Sequence, residues 1–165
     1  IEVTSVVDGS PDRMQVVIPE FDMPGGGLNI RLGDTPHMQE TRVIDYKRFA
    51  AETFSHANKL DRRMWGKSGA KIGFVAAGKN WLDLTHALSL LNIDEAEAER
   101  LGITTYKVGQ TFPLDMAGFH DWAEGLDLIV VVEEKRKLIE VQIKEAMPGV
   151  FSTRKRFEGI RFIKN

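Results

Sequence analysis

The sequence predicts an α/β protein of three layers, with a mostly parallel sheet between helices. Three observations carry that prediction. Ile129-Val130-Val131-Val132 is an unbroken β-branched run, the pattern of a strand buried on both faces. Strand patterns begin near residues 72, 103 and 128, each followed by a helix pattern, a spacing that suits βαβ units of roughly 30 residues. Connections of this length join parallel strands in the right-handed sense.

Residues 1–34 have no regular period. Ser10-Pro11-Asp12 is a turn signal between residues 3–7 and 14–18, which predicts a short hairpin. Pro19 ends the second run, and Met23-Pro24-Gly25-Gly26-Gly27 cannot hold regular structure. The segment still carries Ile18, Phe21, Leu28 and Ile30, so it reads as an extended strap packed along another surface. Thr35-Pro36 is a helix start, with an N-cap hydroxyl and proline at the first helical position. Val43, Tyr46, Ala50, Phe54, Ala57 and Leu60 then recur at three- and four-residue steps, with Phe49 widening the face. They predict a long amphipathic helix from residue 36 or 42 to Lys59.

Residues 66–69 read as a loop, and Ile72–Ala77 as the first strand of the α/β unit. Asn80 is expected to cap the next helix, with Asp83 as its capping-box partner and Leu84, Leu88 and Leu91 as its buried line. Asp94 and Glu97 repeat the cap for a short helix that Gly102 ends. Ile103–Val108 is the second strand. Pro113 and Asp115 open a helix through Phe119, Trp122 and Ala123, stopped at Gly125. Leu128–Val132 is the third strand. A helix follows through Leu138, Ile139, Ile143 and Met147 and stops before Pro148-Gly149. Residues 157–163 alternate and are expected to form an edge strand. The chain divides into a strap or interdomain linker (1–34), a linker helix region (35–66) and an α/β domain (67–165).

Composition narrows the function classes. Lys and Arg total 22 against 24 Asp and Glu, a net charge of −2, which is no electrostatic footprint for nucleic acid. Hydrophobic residues make up 42%, enough to fill the core of one domain. The absence of cysteine excludes a disulfide framework, an iron–sulfur ligand set and a thiolate zinc site within this chain. No apolar run is long enough to span a membrane, no signal-peptide pattern is visible, and a cytoplasmic location is the expectation. The first residue is Ile1 rather than methionine, so the chain is expected to be processed or part of something longer.

The candidate contacts lie where strands end. Gly73 to Gly78-Lys79-Asn80 nearly spells a phosphate loop, but the intervening residues are apolar and Asn80 stands where a magnesium-binding hydroxyl belongs. Gly78, Lys79 and Asn80 can still favour an anion at a helix N-terminus, or simply form a turn, a solvated cation and a cap. Glu133 and Glu134 point opposite ways and so make no paired-carboxylate site; one can begin the helix and the other can touch a neighbouring domain. With Gly109, Lys135 and Arg136 they complete a predicted edge for interdomain or anion contact. His37, His56, His86 and His120 lack metal-ligand spacing, and Ser68, Ser89 and Ser152 sit in no nucleophile elbow. No catalytic, cofactor-binding or metal-binding residue is assigned.

A set of short motifs then brings a family into view. Phe-Asp-Met-Pro-Gly-Gly-Gly-Leu-Asn-Ile-Arg (21–31), Asp-Tyr-Lys (45–47), Ala-Asn-Lys-Leu-Asp-Arg (57–62), Gly-Lys-Asn-Trp-Leu-Asp (78–83), Leu-Gly-Ile with Tyr-Lys-Val-Gly (101–109), and Val-Val-Glu-Glu-Lys-Arg with Leu-Ile-Glu (131–140) occur in order. Together they resemble indolepyruvate ferredoxin oxidoreductase, a thiamine-diphosphate-dependent family that oxidises 2-oxoacids. The resemblance runs from about residue 14 to 145 and points to the region similar to the transketolase C-terminal domain, which implies a mixed five-stranded sheet. It also implies a parent enzyme with thiamine diphosphate, magnesium, iron–sulfur clusters and coenzyme A, with ferredoxin as electron acceptor. Its thiamine-binding modules would be this chain's partners, alongside self-association. Family members hold thiamine diphosphate through a Gly-Asp-Gly and Asn motif. Val7-Asp8-Gly9 lacks that context, so no catalytic residue carries over. The reading is a non-catalytic docking domain. A small-molecule or anion-binding regulatory module is the alternative.

Overall fold

A computed structural model of the chain describes residues 8–147 except Met14, Gly26, Ile30 and Lys135. The expected strands form where β-branched and small residues run together: β2 (Ile72–Ala77), β3 (Ile103–Val108) and β4 (Leu128–Val132). β2 pairs in parallel with both others, Ile72 facing Ile103 on one side and Leu128 on the other. A further strand, β1 (Arg62–Trp65), runs antiparallel to β3, giving the order β1-β3-β2-β4. Two threonines of β3 hold its far end: Thr105 Oγ1 accepts from Trp65 N at 3.0 Å and Thr104 Oγ1 donates to Trp65 O at 2.8 Å.

The pleat separates two apolar layers. Val75, Tyr106, Ile129 and Val131 pack on one face with Phe119 and Trp122 of α5 (Met116–Ala123) and Ile139 and Ile143 of α6 (Leu138–Ala146). Phe74, Ala76 and Val132 pack on the other with Trp81, Leu84 and Leu88 of α3 (Gly78–Leu90). The short α4 (Glu95–Arg100) follows, capped by Asp94, whose side chain accepts from Glu97 N. Val130 and Val131 are both buried, from opposite faces, and each such side chain stabilises the sheet by about 1.5–3 kcal/mol. This is the predicted three-layer α/β arrangement.

Several expectations are corrected. The described residues hold four strands of the expected five, and the strand expected at residues 157–163 lies outside the described residues. β4 is therefore an edge of that sheet, and Val132 is only half-buried. Asn80 does not cap α3. The helix follows β2 without a loop, because Gly78 takes a φ of +52° and Ala77 becomes the cap residue, with no side-chain cap. Leu91 is exposed, since it falls at the C-cap where the chain turns away through Asn92 at φ +56°.

The N-terminal third is helix and strap. Thr35 caps α1 (Pro36–Arg42), a π turn spans Val43–Lys47, and α2 (Arg48–Ala57) follows, so the predicted long helix is present with a π turn inside it. Residues 15–18 are irregular, not a hairpin strand, and residues 3–7 lie outside the described residues. A side chain replaces the missing strand partner: Asn58 accepts from Val17 N and donates to Val17 O, both at 2.8 Å. Arg42 reaches back to the strap through Gly27 O at 2.6 Å and Asp34 at 3.5 Å.

Candidate functional site

Because β2, β3 and β4 are parallel, their C-terminal ends share one edge of the sheet. β3 and β4 flank β2, and α3 and α6 pack on opposite faces. The topological switch point, where open α/β sheets form a crevice, therefore falls between β2 and β4. Gly78, Lys79 and Asn80 follow one of these strands; Glu133, Glu134 and Arg136 follow the other. Lys135 lies outside the described residues. Gly109 stands at the end of β3, on the far side of β2.

Each of these residues has a local task. The Glu133 carboxylate accepts from Ile139 N at 2.8 Å and Glu140 N at 3.1 Å, capping α6 from across the turn. Lys79 donates to Asp83 at 2.6 Å. That hydrogen bond holds its ammonium above the usual range, with the charge of Glu134 adding to the effect. The positive potential expected at this edge is thus met within the chain: Asp83 and Glu134 face Lys79, and Glu133 occupies the α6 N-terminus. Behind it, Glu140 accepts from Lys137 at 3.0 Å and from Lys144. Burial pushes the Glu140 carboxyl up, but the hydrogen bonds from Lys144 and Lys137 outweigh it and hold the carboxyl below the usual glutamate range.

Gly109 belongs to a second cluster that sequence reasoning missed. Asp61 is 4% exposed, and its carboxylate accepts from Gly109 N and Gln110 N at 2.8 Å and from Asp115 N at 3.1 Å. A Cβ on Gly109 would lie 2.5 Å from Leu60 O, so this glycine serves close backbone approach. Asp115 is equally buried. It caps α5 by accepting from Gly118 N at 2.9 Å, and His56 Nδ1 of α2 lies 3.0 and 3.1 Å from its two oxygens. Glu52 accepts from Met116 N at 3.2 Å, and Gln110 Nε2 donates to Ala51 O at 3.2 Å. The loop after β3 is thereby fastened to α2. Tyr106 projects into the same region, and burial followed by the charges of Asp115, Asp61 and Asp121 pushes its phenol above the usual range. The only local signal for this cluster was an aspartate placed directly between a helix end and a charged run.

Chemically, both clusters hold the backbone in place. Among the described residues no group of three His, Asp or Glu side chains can hold a metal ion, and the sequence has no cysteine. The described residues thus offer no such ligand set for magnesium, and a chain without cysteine supplies no thiolate for an iron–sulfur cluster. Among the described residues no helix is long and apolar enough to cross a membrane.

A family model described as indolepyruvate oxidoreductase domain matches residues 62–161. The chain is 28% identical over 79 residues to the indolepyruvate oxidoreductase subunit IorA of Thermococcus kodakarensis, a stretch covering 48% of this chain and 11% of that protein. The IorA subunit of Pyrococcus horikoshii is 29% identical over 79 residues, with the same coverage. The chain thus spans 11% of the length of these relatives. Among solved structures, a 2-oxoglutarate:ferredoxin oxidoreductase from Magnetococcus marinus, with 2-oxoglutarate, coenzyme A and succinyl-CoA bound, aligns over 95% of this chain and 25% of its own, with 15% identity and a TM-score of 0.48.

Proposed function

We propose that this chain, which belongs to the indolepyruvate oxidoreductase domain family, is a non-catalytic docking domain of a larger 2-oxoacid:ferredoxin oxidoreductase. The reaction of that enzyme would be the oxidative decarboxylation of an aryl 2-oxoacid to an acyl-CoA with reduction of ferredoxin. Thiamine diphosphate, magnesium and iron–sulfur clusters would sit in its other modules, in the cytoplasm. Within the chain, residues 1–34 act as strap, 35–66 as helical linker and 67–165 as the α/β unit, β1 being the part of the linker that joins the sheet.

The distribution of exposed apolar residues carries the docking role. Among the described residues, Val16, Val17, Ile18, Met23, Leu32, Met38, Val43, Ile44 and Phe49 are all exposed, Ile18 by 80%. They fall within residues 16–49, along strap and helix, and a segment that exposes this many large apolar side chains suits an interaction surface. The test is to purify the chain and the thiamine-binding modules separately and follow their association by sedimentation velocity. The wild-type chain is expected to associate. The Val43→Asp/Ile44→Asp chain should keep its far-ultraviolet circular dichroism and lose association. Equal association of both chains, or none for the wild type, overturns the docking role.

One observation favours the regulatory alternative. The α3 N-terminus opens onto the crevice between β2 and β4 without a side-chain cap, a place that suits a phosphate oxygen, such as one of coenzyme A. Against it stands the pairing of Lys79 with Asp83, which removes the nearest cation.

A further inference from the structure

The loop after β3 holds an aromatic ring out of the fold. Phe112 is 61% exposed, yet the chain on both sides of it is fastened. Asp61 accepts from Gly109 N, Gln110 N and Asp115 N. Gln110 Nε2 donates to Pro113 O at 2.8 Å and to Ala51 O of α2 at 3.2 Å. Gln142 of α6 accepts from Leu114 N and donates to Thr111 O, both at 2.9 Å. A ring presented on so fixed a loop loses little conformational freedom when a partner covers it.

Phe112 does not stand alone. Gln142 Nε2 also donates to Leu138 O at 3.0 Å, which sets the loop beside the first turn of α6. There Leu138 and Val141 are exposed, and with Glu145 they recur at i, i+3 and i+7, one face of a helix. Charge stands at the two ends of this face. Arg136 lies just before the helix, its carbonyl accepting from Leu138 N at 2.9 Å, and Glu145 lies in the last turn; both are exposed. Lys137 and Lys144 are answered by Glu140 within the chain. Among the described residues Arg136 and Glu145 have no ion-pair partner. An apolar middle with opposite charges at its ends is complementary to itself turned end for end. A two-fold axis midway between Leu138 and Val141 sets Arg136 of one copy opposite residue 143 of the other, about 3 Å along the helix from Glu145.

We infer that this face is an isologous contact with a second copy of the chain. The two α6 helices lie antiparallel, Phe112 of each copy covers Leu138 and Val141 of the other, and Arg136 of each meets Glu145 of the other. The inference is independent of the docking role, because these residues lie outside the exposed apolar segment of strap and helix.

The test is sedimentation equilibrium of the full chain from micromolar to submillimolar concentration, where a reversible monomer–dimer equilibrium is expected. Phe112→Ser should weaken the dimer about tenfold or more, since both copies lose an apolar anchor. Leu138→Gln/Val141→Gln, at exposed helix positions, should do the same with unchanged far-ultraviolet circular dichroism. Arg136→Glu should weaken the dimer several-fold, and Arg136→Glu/Glu145→Arg should restore it, a recovery that a reciprocal contact gives. A chain that is monomeric throughout overturns the inference. So does a dimer that both apolar variants leave unchanged, or a double swap that recovers nothing. A chain that stays monomeric and loses its association with the thiamine-binding modules on Phe112→Ser assigns the face to that partner and overturns the inference equally.

Discussion

Replacing Asp61 by alanine removes a side chain that holds the end of β3, the loop behind it and the start of α5 together. Three backbone donors lose their acceptor: Gly109 N, Gln110 N and Asp115 N. Gly109 is exposed and Gln110 half-buried, so water reaches those two amides and each loss is about 1 kcal/mol, the lower end for an unmade hydrogen bond. Asp115 is 2% exposed, and its amide loses about 2–3 kcal/mol. Removing a buried carboxylate beside Asp115 relieves some repulsion, so the expected net loss is about 3 kcal/mol. For a chain of this size that lowers the melting temperature by roughly 6–12 °C. Asp61→Asn keeps one carbonyl oxygen for Gly109 and Gln110 but turns an amide donor toward Asp115 N, and should cost about 2 kcal/mol. Urea unfolding followed by circular dichroism gives both numbers, and hydrogen exchange at the Asp115 amide reports the local effect. An Asp61→Ala chain within about 1 kcal/mol of the wild type, below the cost of one unmade buried bond, with an equally protected Asp115 amide would refute the reasoning.

Two further outcomes follow from packing and charge. Gly73→Ala places a methyl 2.6 Å from Trp122 Cη2 and 2.7 Å from Leu126 Cδ1; the expected loss is about 1–3 kcal/mol in urea unfolding, and wild-type stability would mean that α5 does not press on β2 as described. Glu140→Gln should cost about 1 kcal/mol near neutral pH, because the lysines it pairs with are themselves 41–49% exposed. The folded carboxyl is held below its ordinary value, so this contribution is full above the ordinary glutamate value of about 4.3 and is lost as pH falls through the depressed one. The melting difference between the two chains should therefore close in acid, and a difference that grows as pH falls would contradict the ion-pair reading.

What the sequence made legible was local. β2, β3 and β4 were readable to the residue because each is a short run of apolar, aromatic or β-branched side chains, Lys107 apart, bounded by charge or glycine. The caps at Thr35, Asp94 and Asp115 were readable because a capping side chain and the amide it accepts from lie three residues apart. β1 was illegible: Arg62-Arg63-Met64-Trp65 has no alternation, and pairing with β3 makes it a strand. Asn80 misled because one left-handed glycine moves the helix start upstream. The Glu133 cap acts from six and seven residues away. The bonds of Asp61 span 48 to 54 residues, a separation no local pattern encodes.

The two clusters differ in how fully their polar groups are answered within the chain. At the β2–β4 crevice every described charge but Arg136 has an opposite or a helix terminus to answer it: Lys79 has Asp83 and Glu134, and Glu133 has the α6 amides. An edge balanced in this way offers a free ligand little electrostatic gain. In the cluster between α2, β1 and α5 the balance is incomplete. Asp61 is answered by three backbone amides and Asp115 by Gly118 N and His56, so of these buried groups the Tyr106 hydroxyl alone goes without a partner, and a buried hydrogen bond left unmade costs stability.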